Sequence, residues 1–377
     1  MNDSAPLALV QDPDRLVRLC ERWRALPALA LDTEFFRERT YYAQLALVQV
    51  HDGEACSLLD PVALDLSAFT QLLGEPGVTK VLHGCSEDLD IFFRLMAKPV
   101  LNLFDTQIAG ALCNPEGFIS YRRLVAEFLN AELGEDATRS DWLRRPLSAR
   151  QIRYAEEDVQ HLLPLHEVLS EQLADLGRTS WATEECQRLT DPKRFEWRPE
   201  DAWLRFGGRW KLMPRQLEAL RRLTRWREEE ARRSDLPRTF VVKDPQLMQL
   251  ADAMPADRHT LAQAANMHPR QVRVYSDQLL ALIQEAEDLP EADLPEPPPR
   301  PDTSREARTV IQEMRSLVAT KAEELGIAPD VLAPSRLLKG LFHRHYFRQA
   351  PPTELTGWRR DVIGDELTAL LDDWRGR

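Results

Sequence analysis

No stretch of the 377-residue chain approaches the ~18 consecutive apolar residues of a membrane-spanning helix, so no membrane association is expected. The opening MNDSAPLALVQDPDRL lacks a basic region followed by a long apolar segment, and a secretory signal is not expected either. Cysteine is scarce: Cys20, Cys56, Cys85, Cys113 and Cys186 are scattered, with no C-x-x-C pair. That spacing argues against a zinc site or a disulfide framework, and for reduced, mostly buried thiols. Together these absences point to the cytoplasm. Positive charge is short overall, with 49 Lys and Arg against 61 Asp and Glu and a net charge of −12. A bulk nucleic-acid binder would need the opposite balance.

Core material is ample, with 43% hydrophobic and 29% charged residues, and the length implies two or three domains. The positive charge that exists is concentrated. Arg205, Arg209, Lys211, Arg215, Arg221, Arg222, Arg225, Arg227, Arg232 and Arg233 lie within one short stretch, opposed there by Glu218, Glu228, Glu229 and Glu230.

The first half of the chain alternates strand and helix signals. Residues 8–11, 28–35, 44–50 and 55–60 read as strands, the last three as an antiparallel meander. A helix over 65–73, a strand over 80–84, a helix opening at Ser86 and a strand over 101–106 running into a helix follow. From about 120 to 176 the pattern is helical, and Pro164 should kink or restart the helix. The summary is an α/β domain, a mixed sheet flanked by helices, over 1–195. Beyond it no convincing strand appears. Residues 205–289 read as short helices, 290–304 as a stiff proline-rich acidic linker, and 305–377 as a second helical unit, loosely a duplicate of the first.

One strand is chemically odd. In LALDTEFF, residues 29–36, Asp32 and Glu34 project from the same face, roughly 6–7 Å apart at their bases. Two such carboxylates repel by about 2–3 kcal/mol at an effective dielectric of about 20. A bound cation would justify them. Asp88 follows a strand in HGCSEDLDIFF, with Ser86 as the expected helix cap, and Tyr154 and Asp158 in YAEEDV share one helix face. The four carboxylates can converge on one pocket as hard-oxygen ligands, suited to Mg²⁺ or Mn²⁺ rather than zinc. Two such ions would clamp both oxygens of a phosphodiester displacement, and Tyr154 could orient the attacking water. Taken singly, each piece also has a bland reading: a solvated strand face, an acidic first helical turn, a half-buried helix pair.

In their order, D-x-E, then Asp after a strand, then Y-x-x-x-D on a late helix, these segments resemble the exonuclease motifs of the DEDD superfamily's tyrosine branch. The resemblance implies a ribonuclease-H-like fold. LALDTEFFRERTYYAQLALVQV, KVLHGCSEDLDIFF and RSDWLRRPLSARQIRYAEEDV are more closely similar to the bacterial ribonuclease D family, and the tail to two HRDC-type helical domains. His83 and Glu87 stand where proofreading exonucleases usually carry an Asn and an aromatic, and Arg153 excludes the histidine branch. The resemblance implies that Asp32 bridges two divalent ions, Glu34 and Asp158 hold the ion beside the water, and Asp88 supports the other. It further implies that Tyr154 positions the water, and that nucleoside 5′-monophosphates leave an RNA 3′ end. Related enzymes act on tRNA precursors and other small structured RNAs. A monomer is the favoured assembly.

Other residues divide between roles. Phe35 either stacks on the terminal base or packs in the core, and His83 either touches substrate or is a satisfied core histidine. Arg139 and Trp142 either meet RNA phosphate and base or belong to a structural loop. Tyr41 and Gln44 are similarly divided. Arg221 and Arg225 either grip RNA or pair with neighbouring glutamates. Asp105 is expected to cap the next helix, and His343 and His345 to be solvated or packed rather than metal-bound. The competing functions are a DNA 3′-5′ exonuclease of the Werner type and a non-catalytic RNA-binding adaptor. Matched RNA and DNA substrates separate the first from an exoribonuclease. The intact acidic set argues against the second.

Overall fold

The computed structural model describes residues 9–134 and 140–376. Contacts divide the chain into two compact units, one of residues through Phe36, 45–195 and 302–377, the other of 37–44 and 196–301. No helix among the described residues is long and apolar enough to cross a membrane.

In the first unit, five strands form one sheet: β1 (Ala28–Phe36), β2 (Gln44–His51), β3 (Cys56–Leu59), β4 (Thr79–Leu82) and β5 (Leu103–Asp105), in the order β3-β2-β1-β4-β5. β1 and β5 both run parallel to β4, whereas β2 and β3 are antiparallel, with Val48 opposite Leu59. The strand carrying the D-x-E pattern is therefore central. Residue 10 was expected to lie in a strand, yet Val10 makes only an isolated bridge to Leu59. Asp12 ends it by capping the helix α1 (Pro13–Trp23).

Seven further helices surround the sheet: α2 (Ser67–Leu73), α3 (Ser86–Met96), α4 (Thr106–Cys113), α5 (Tyr121–Leu129), α6 (Ala149–Gln160), α7 (Leu162–Asp175) and α8 (Thr179–Leu189). Alternation along β1 sorts its two faces. Leu29 and Leu31 are buried with Leu16, Phe69 and Phe92 of α1, α2 and α3, each leucine worth roughly 1.5–3 kcal/mol. Ala30, on the other face, packs on Val159 and Leu162. Its small side chain lets α6 and α7 lie close to the strand. Asp32 and Glu34 share that face, so the alternation that buries the leucines aims the carboxylates toward α6. Pro164 does restart the helix: α6 ends at Gln160, and Pro164 sits in the first turn of α7, where its missing N–H costs no bond.

The second unit has its own core, in which Leu217, Leu220, Leu247, Leu250, Leu279 and Ile283 meet. It is built by α9 (Pro214–Arg233), α10 (Arg238–Val241), α11 (Asp244–Ala253), α12 (Arg258–Ala264) and α13 (Pro269–Glu287). The C-terminal helices α14 (Arg305–Leu325), α15 (Pro329–Leu332), α16 (Ser335–Tyr346) and α17 (Asp365–Gly376) belong to the first unit. Their Met314, Val318, Leu338 and Leu367 share one hydrophobic core with Leu112, Leu124 and Leu169 of α4, α5 and α7. Trp358 stacks on Trp181 of α8 at 4.5 Å, and its indole N–H donates to Glu185 at 2.8 Å.

Candidate active site

Three of the four expected carboxylates meet. One oxygen each from Asp32, Glu34 and Asp158 lies within 4.8 Å of the other two, the one such cluster of potential metal ligands among the described residues. β1 supplies the first two. The third comes from α6, whose start is fixed by a capping box between Ser148 and Gln151. Asp88 stands outside that tight trio. It is 8% exposed on α3, and its carboxylate accepts the hydroxyl of Thr33, the residue between Asp32 and Glu34. Burial holds the Asp32 carboxyl well above the usual carboxylate range, with Asp88, then Asp158 and Glu34, adding to the rise. Burial also pushes Asp88 up, to about 6, against the Thr33 hydrogen bond, which lowers it. Asp32 and Asp88 are thus both pushed toward their protonated forms. The donor set is all hard oxygen with like charge at short range, which fits Mg²⁺ or Mn²⁺.

The corner that delivers Asp88 differs from expectation in one respect. Ser86 does not cap α3; the helix begins at Ser86, and Cys85 before it makes no side-chain cap bond. The corner is held by Asp105 instead. Its carboxylate accepts the Gly84 amide at 3.0 Å and the Cys85 amide at 3.1 Å, while capping α4 through Gln107 and Ile108 as expected. Gly84 has φ +62°, a left-handed turn that glycine adopts freely, and a Cβ there would come within 3.1 Å of the Gln107 side chain.

Tyr154 lies one helical turn before Asp158, half-buried, with its ring 6.0 Å from the Trp142 indole. Trp142 is only 2% exposed, packed with Ala46, Leu47, Leu58 and Ala155, so the structure seats it as a structural residue behind Tyr154. The loop bearing it is latched to the sheet. Arg145 donates to both carboxylate oxygens of Asp60, at 3.0 and 2.6 Å, and to the carbonyls of Ala46 and Trp142, both at 2.7 Å. Asp60 is held below the usual carboxylate range despite its burial, by the hydrogen bonds from Arg145 and Gln11.

Of the remaining expected residues, Phe35 is half-buried on β1 beside Glu34. His83 places Nδ1 3.0 Å from the Thr106 hydroxyl and its ring 5.5 Å from Tyr121, and burial lowers its pKa toward the neutral form. Arg139 lies outside the described residues. Arg221 and Arg225 pair with Glu218 at 2.9 Å and Glu229 at 2.8 Å. Gln44 is exposed at the start of β2, and Tyr41 takes the guanidinium of Arg238 over its ring at 5.3 Å. His345 meets Asp372 at 2.7 Å.

Sequence reasoning overlooked Thr33, Asp60 and Tyr121. The Tyr121 hydroxyl accepts the His161 amide and donates to the Glu157 carbonyl, both at 3.2 Å, pinning the end of α6 that carries Asp158. Burial raises its phenol pKa, with Asp158 and Asp32 contributing. Nothing in the local sequence marks it, because its partners are backbone groups 36 and 40 residues away.

Residues 7–174 match the family described as 3′-5′ exonuclease, and residues 216–283 match the HRDC domain. The chain is 40% identical to ribonuclease D of Pseudomonas paraeruginosa, over 96% of this chain and 97% of the relative. It is 35% identical to ribonuclease D of Escherichia coli, over 97% and 98%. The crystal structure of that Escherichia coli enzyme, described as an exoribonuclease involved in structured RNA processing, superimposes with a TM-score of 0.91 over 97% of this chain and 98% of its own.

Proposed function

Because the chain belongs to the ribonuclease D family of 3′-5′ exoribonucleases, we propose that it trims the 3′ ends of structured RNAs, tRNA precursors among them, using two divalent ions in the cytoplasm. The observation that carries the chemistry is the convergence of Asp32, Glu34 and Asp158 within 4.8 Å, with Asp88 tied to the same strand. Asp32, Glu34, Asp88 and Asp158 would hold Mg²⁺ or Mn²⁺. Bound there, the ions supply Lewis-acid charge to the attacking and leaving oxygens of the phosphodiester.

The chain's own residues do the rest. The Tyr154 hydroxyl orients the attacking water, and the buried Trp142 packs near its ring. Water oxygen bonds to phosphorus and the P–O3′ bond breaks. The terminal nucleotide leaves as a nucleoside 5′-monophosphate, and the shortened RNA keeps a 3′ hydroxyl.

The test is a matched pair of 5′-labelled RNA and DNA 3′ overhangs with Mg²⁺ or Mn²⁺. The expected result is a ladder shortened by single nucleotides on RNA, with 5′-monophosphate products. Preferential trimming of the DNA strand would move the chain to the Werner-type reading, and no trimming of either would leave an RNA-binding adaptor. Tyr154→Phe should lower kcat about 10²–10⁴-fold while Mn²⁺ affinity holds. An unchanged kcat would reduce Tyr154 to packing.

A further inference from the structure

The arginines that composition singles out are largely occupied, by carboxylates or, for Arg215, by the carbonyls of Ala286 and Leu289. Arg221 and Arg222 both contact Glu218, Arg225 contacts Glu229, Arg233 contacts Glu230, and Arg205 contacts Glu228. Arg232 differs. Among the described residues it has no carboxylate within ion-pair distance, and its guanidinium is 4.5 Å from the ring centre of Trp197 and 5.6 Å from that of Tyr42. Its Nε donates to the Tyr42 hydroxyl. The loop bearing Tyr42 is itself anchored within the same unit, the Tyr42 amide donating to Asp235 at 3.1 Å and the Tyr41 ring lying edge-on at 4.9 Å.

Trp197 is 46% exposed, the one tryptophan among the described residues left so open to solvent. A large aromatic surface at that exposure, backed by a cation that no acid neutralises, has two complements on a ligand: a flat π face and a negative charge close to it. An unpaired nucleotide has both. Its base stacks on an indole irrespective of sequence, and its phosphate meets the guanidinium. A base inside a duplex is already stacked on both faces and offers only phosphate.

We propose that Trp197, Arg232 and Tyr42 form a stacking seat for one unpaired nucleotide of the RNA substrate. The seat rests on the exoribonuclease reading for the identity of its ligand. It is assembled from three separated parts of the chain: the loop after β1, the segment before α9, and the last turn of α9. Two of its three residues lie outside the segment that matches the HRDC domain. The selectivity it confers is for single-stranded over paired RNA, not for base identity.

Binding of the whole 377-residue chain to a short single-stranded RNA, and to the blunt duplex made from it, decides the matter when measured in EDTA so that nothing is hydrolysed. Trp197→Ala should weaken single-strand binding about 5- to 100-fold and leave the duplex affinity unchanged. Trp197→Phe should keep most of the single-strand affinity while losing the quenching of tryptophan fluorescence that the single strand causes in the wild type. Arg232→Gln should flatten the dependence of log affinity on log salt by about 0.7. Wild-type affinity in Trp197→Ala, or an equal loss on single strand and duplex, overturns the proposal. The two readings fail separately: RNA bound in a Trp197-dependent way but never trimmed would sink the hydrolase and keep the seat.

Discussion

Along β1 and α6, three carboxylates stand within 4.8 Å of one another. Along α9 of the second unit, each arginine at 221, 222, 225 and 233 has a glutamate within 3 Å. Both stretches look conspicuous in the sequence because they are dense in charge. They differ in sign pattern, and that difference separates function from upkeep. Opposite charges paired at i, i+3 and i, i+4 along a helix satisfy one another and ask for no ligand. Like charges gathered in a partly buried pocket work against folding, and a bound cation offsets that repulsion. Charge that folding would reject is the better guide to a site.

The sharpest way to break this contrast is to remove one of the gathered charges. Asp32→Asn takes away a proposed bridging ligand together with a repulsive charge, so activity and stability should move in opposite directions. Hydrolysis with Mg²⁺ should fall at least about 10³-fold. The melting temperature in EDTA should stay level or rise. Near-wild-type hydrolysis would remove Asp32 from the site. A large fall in metal-free melting temperature would show instead that the carboxylate stabilises the fold.

A second measurement leaves the site intact and titrates it. The Asp88 carboxyl, pushed up to about 6 chiefly by burial, keeps its proton in the folded chain over a range where the unfolded chain, at about 3.9, has lost it. The folded state therefore binds more protons between those two values, and stability falls as pH rises through that window. The whole penalty is up to about 3 kcal/mol above pH 6 without metal. Asp32, also raised, extends the fall in the same direction. Melting curves in EDTA across this range should show a steeper loss for the wild type than for Asp88→Asn, and Mn²⁺ should offset the wild type's loss. Parallel curves would mean that Asp88 ionises as freely as a surface acid. Asp60, held low by Arg145 and Gln11, shifts both proteins alike and cancels in the comparison.

Much of this was legible in the sequence because it rests on short-range rules. Period-two alternation placed Asp32 and Glu34 on one face of a strand, the four-residue spacing placed Tyr154 and Asp158 on one helix face, and Pro164 marked where α6 gives way to α7. What escaped notice depends on contacts distant in the chain. Arg145 reaches Asp60 across 85 residues, and Tyr121 reaches backbone groups beyond Glu156. The C-terminal helices look like a free-standing duplicate of α9–α13 by pattern, since an amphipathic stripe does not say which surface it covers. In the fold, Met314, Val318 and Leu367 are buried with Leu112 and Leu124 of the catalytic unit. A chain cut near residue 195 would therefore expose one half of that shared core, so truncation is a poor way to ask what the helical parts do. Point substitutions ask it better.

The smallest expected effect comes from the paired arginines. Arg225 and Glu229 are both largely exposed, and Arg221 meets a mostly buried Glu218 from the solvent side. Exposed pairs contribute about 0–1 kcal/mol, so Arg225→Gln should shift stability by no more than about 0.5 kcal/mol, and Arg221→Gln leaves Glu218 its second partner, Arg222. Were these two residues phosphate contacts, the double variant would flatten the salt dependence of RNA binding by roughly 1.4, twice the 0.7 due to one contact on a single strand. With Glu218 and Glu229 already beside them, the slope should instead stay at its wild-type value, in contrast to Arg232→Gln, which has no such partner to replace. A flattened slope in the double variant would show that RNA displaces the glutamates. The density of arginine along α9 would then mark a grip after all, and the contrast between paired and gathered charge would hold for the folded protein alone, not for its complex.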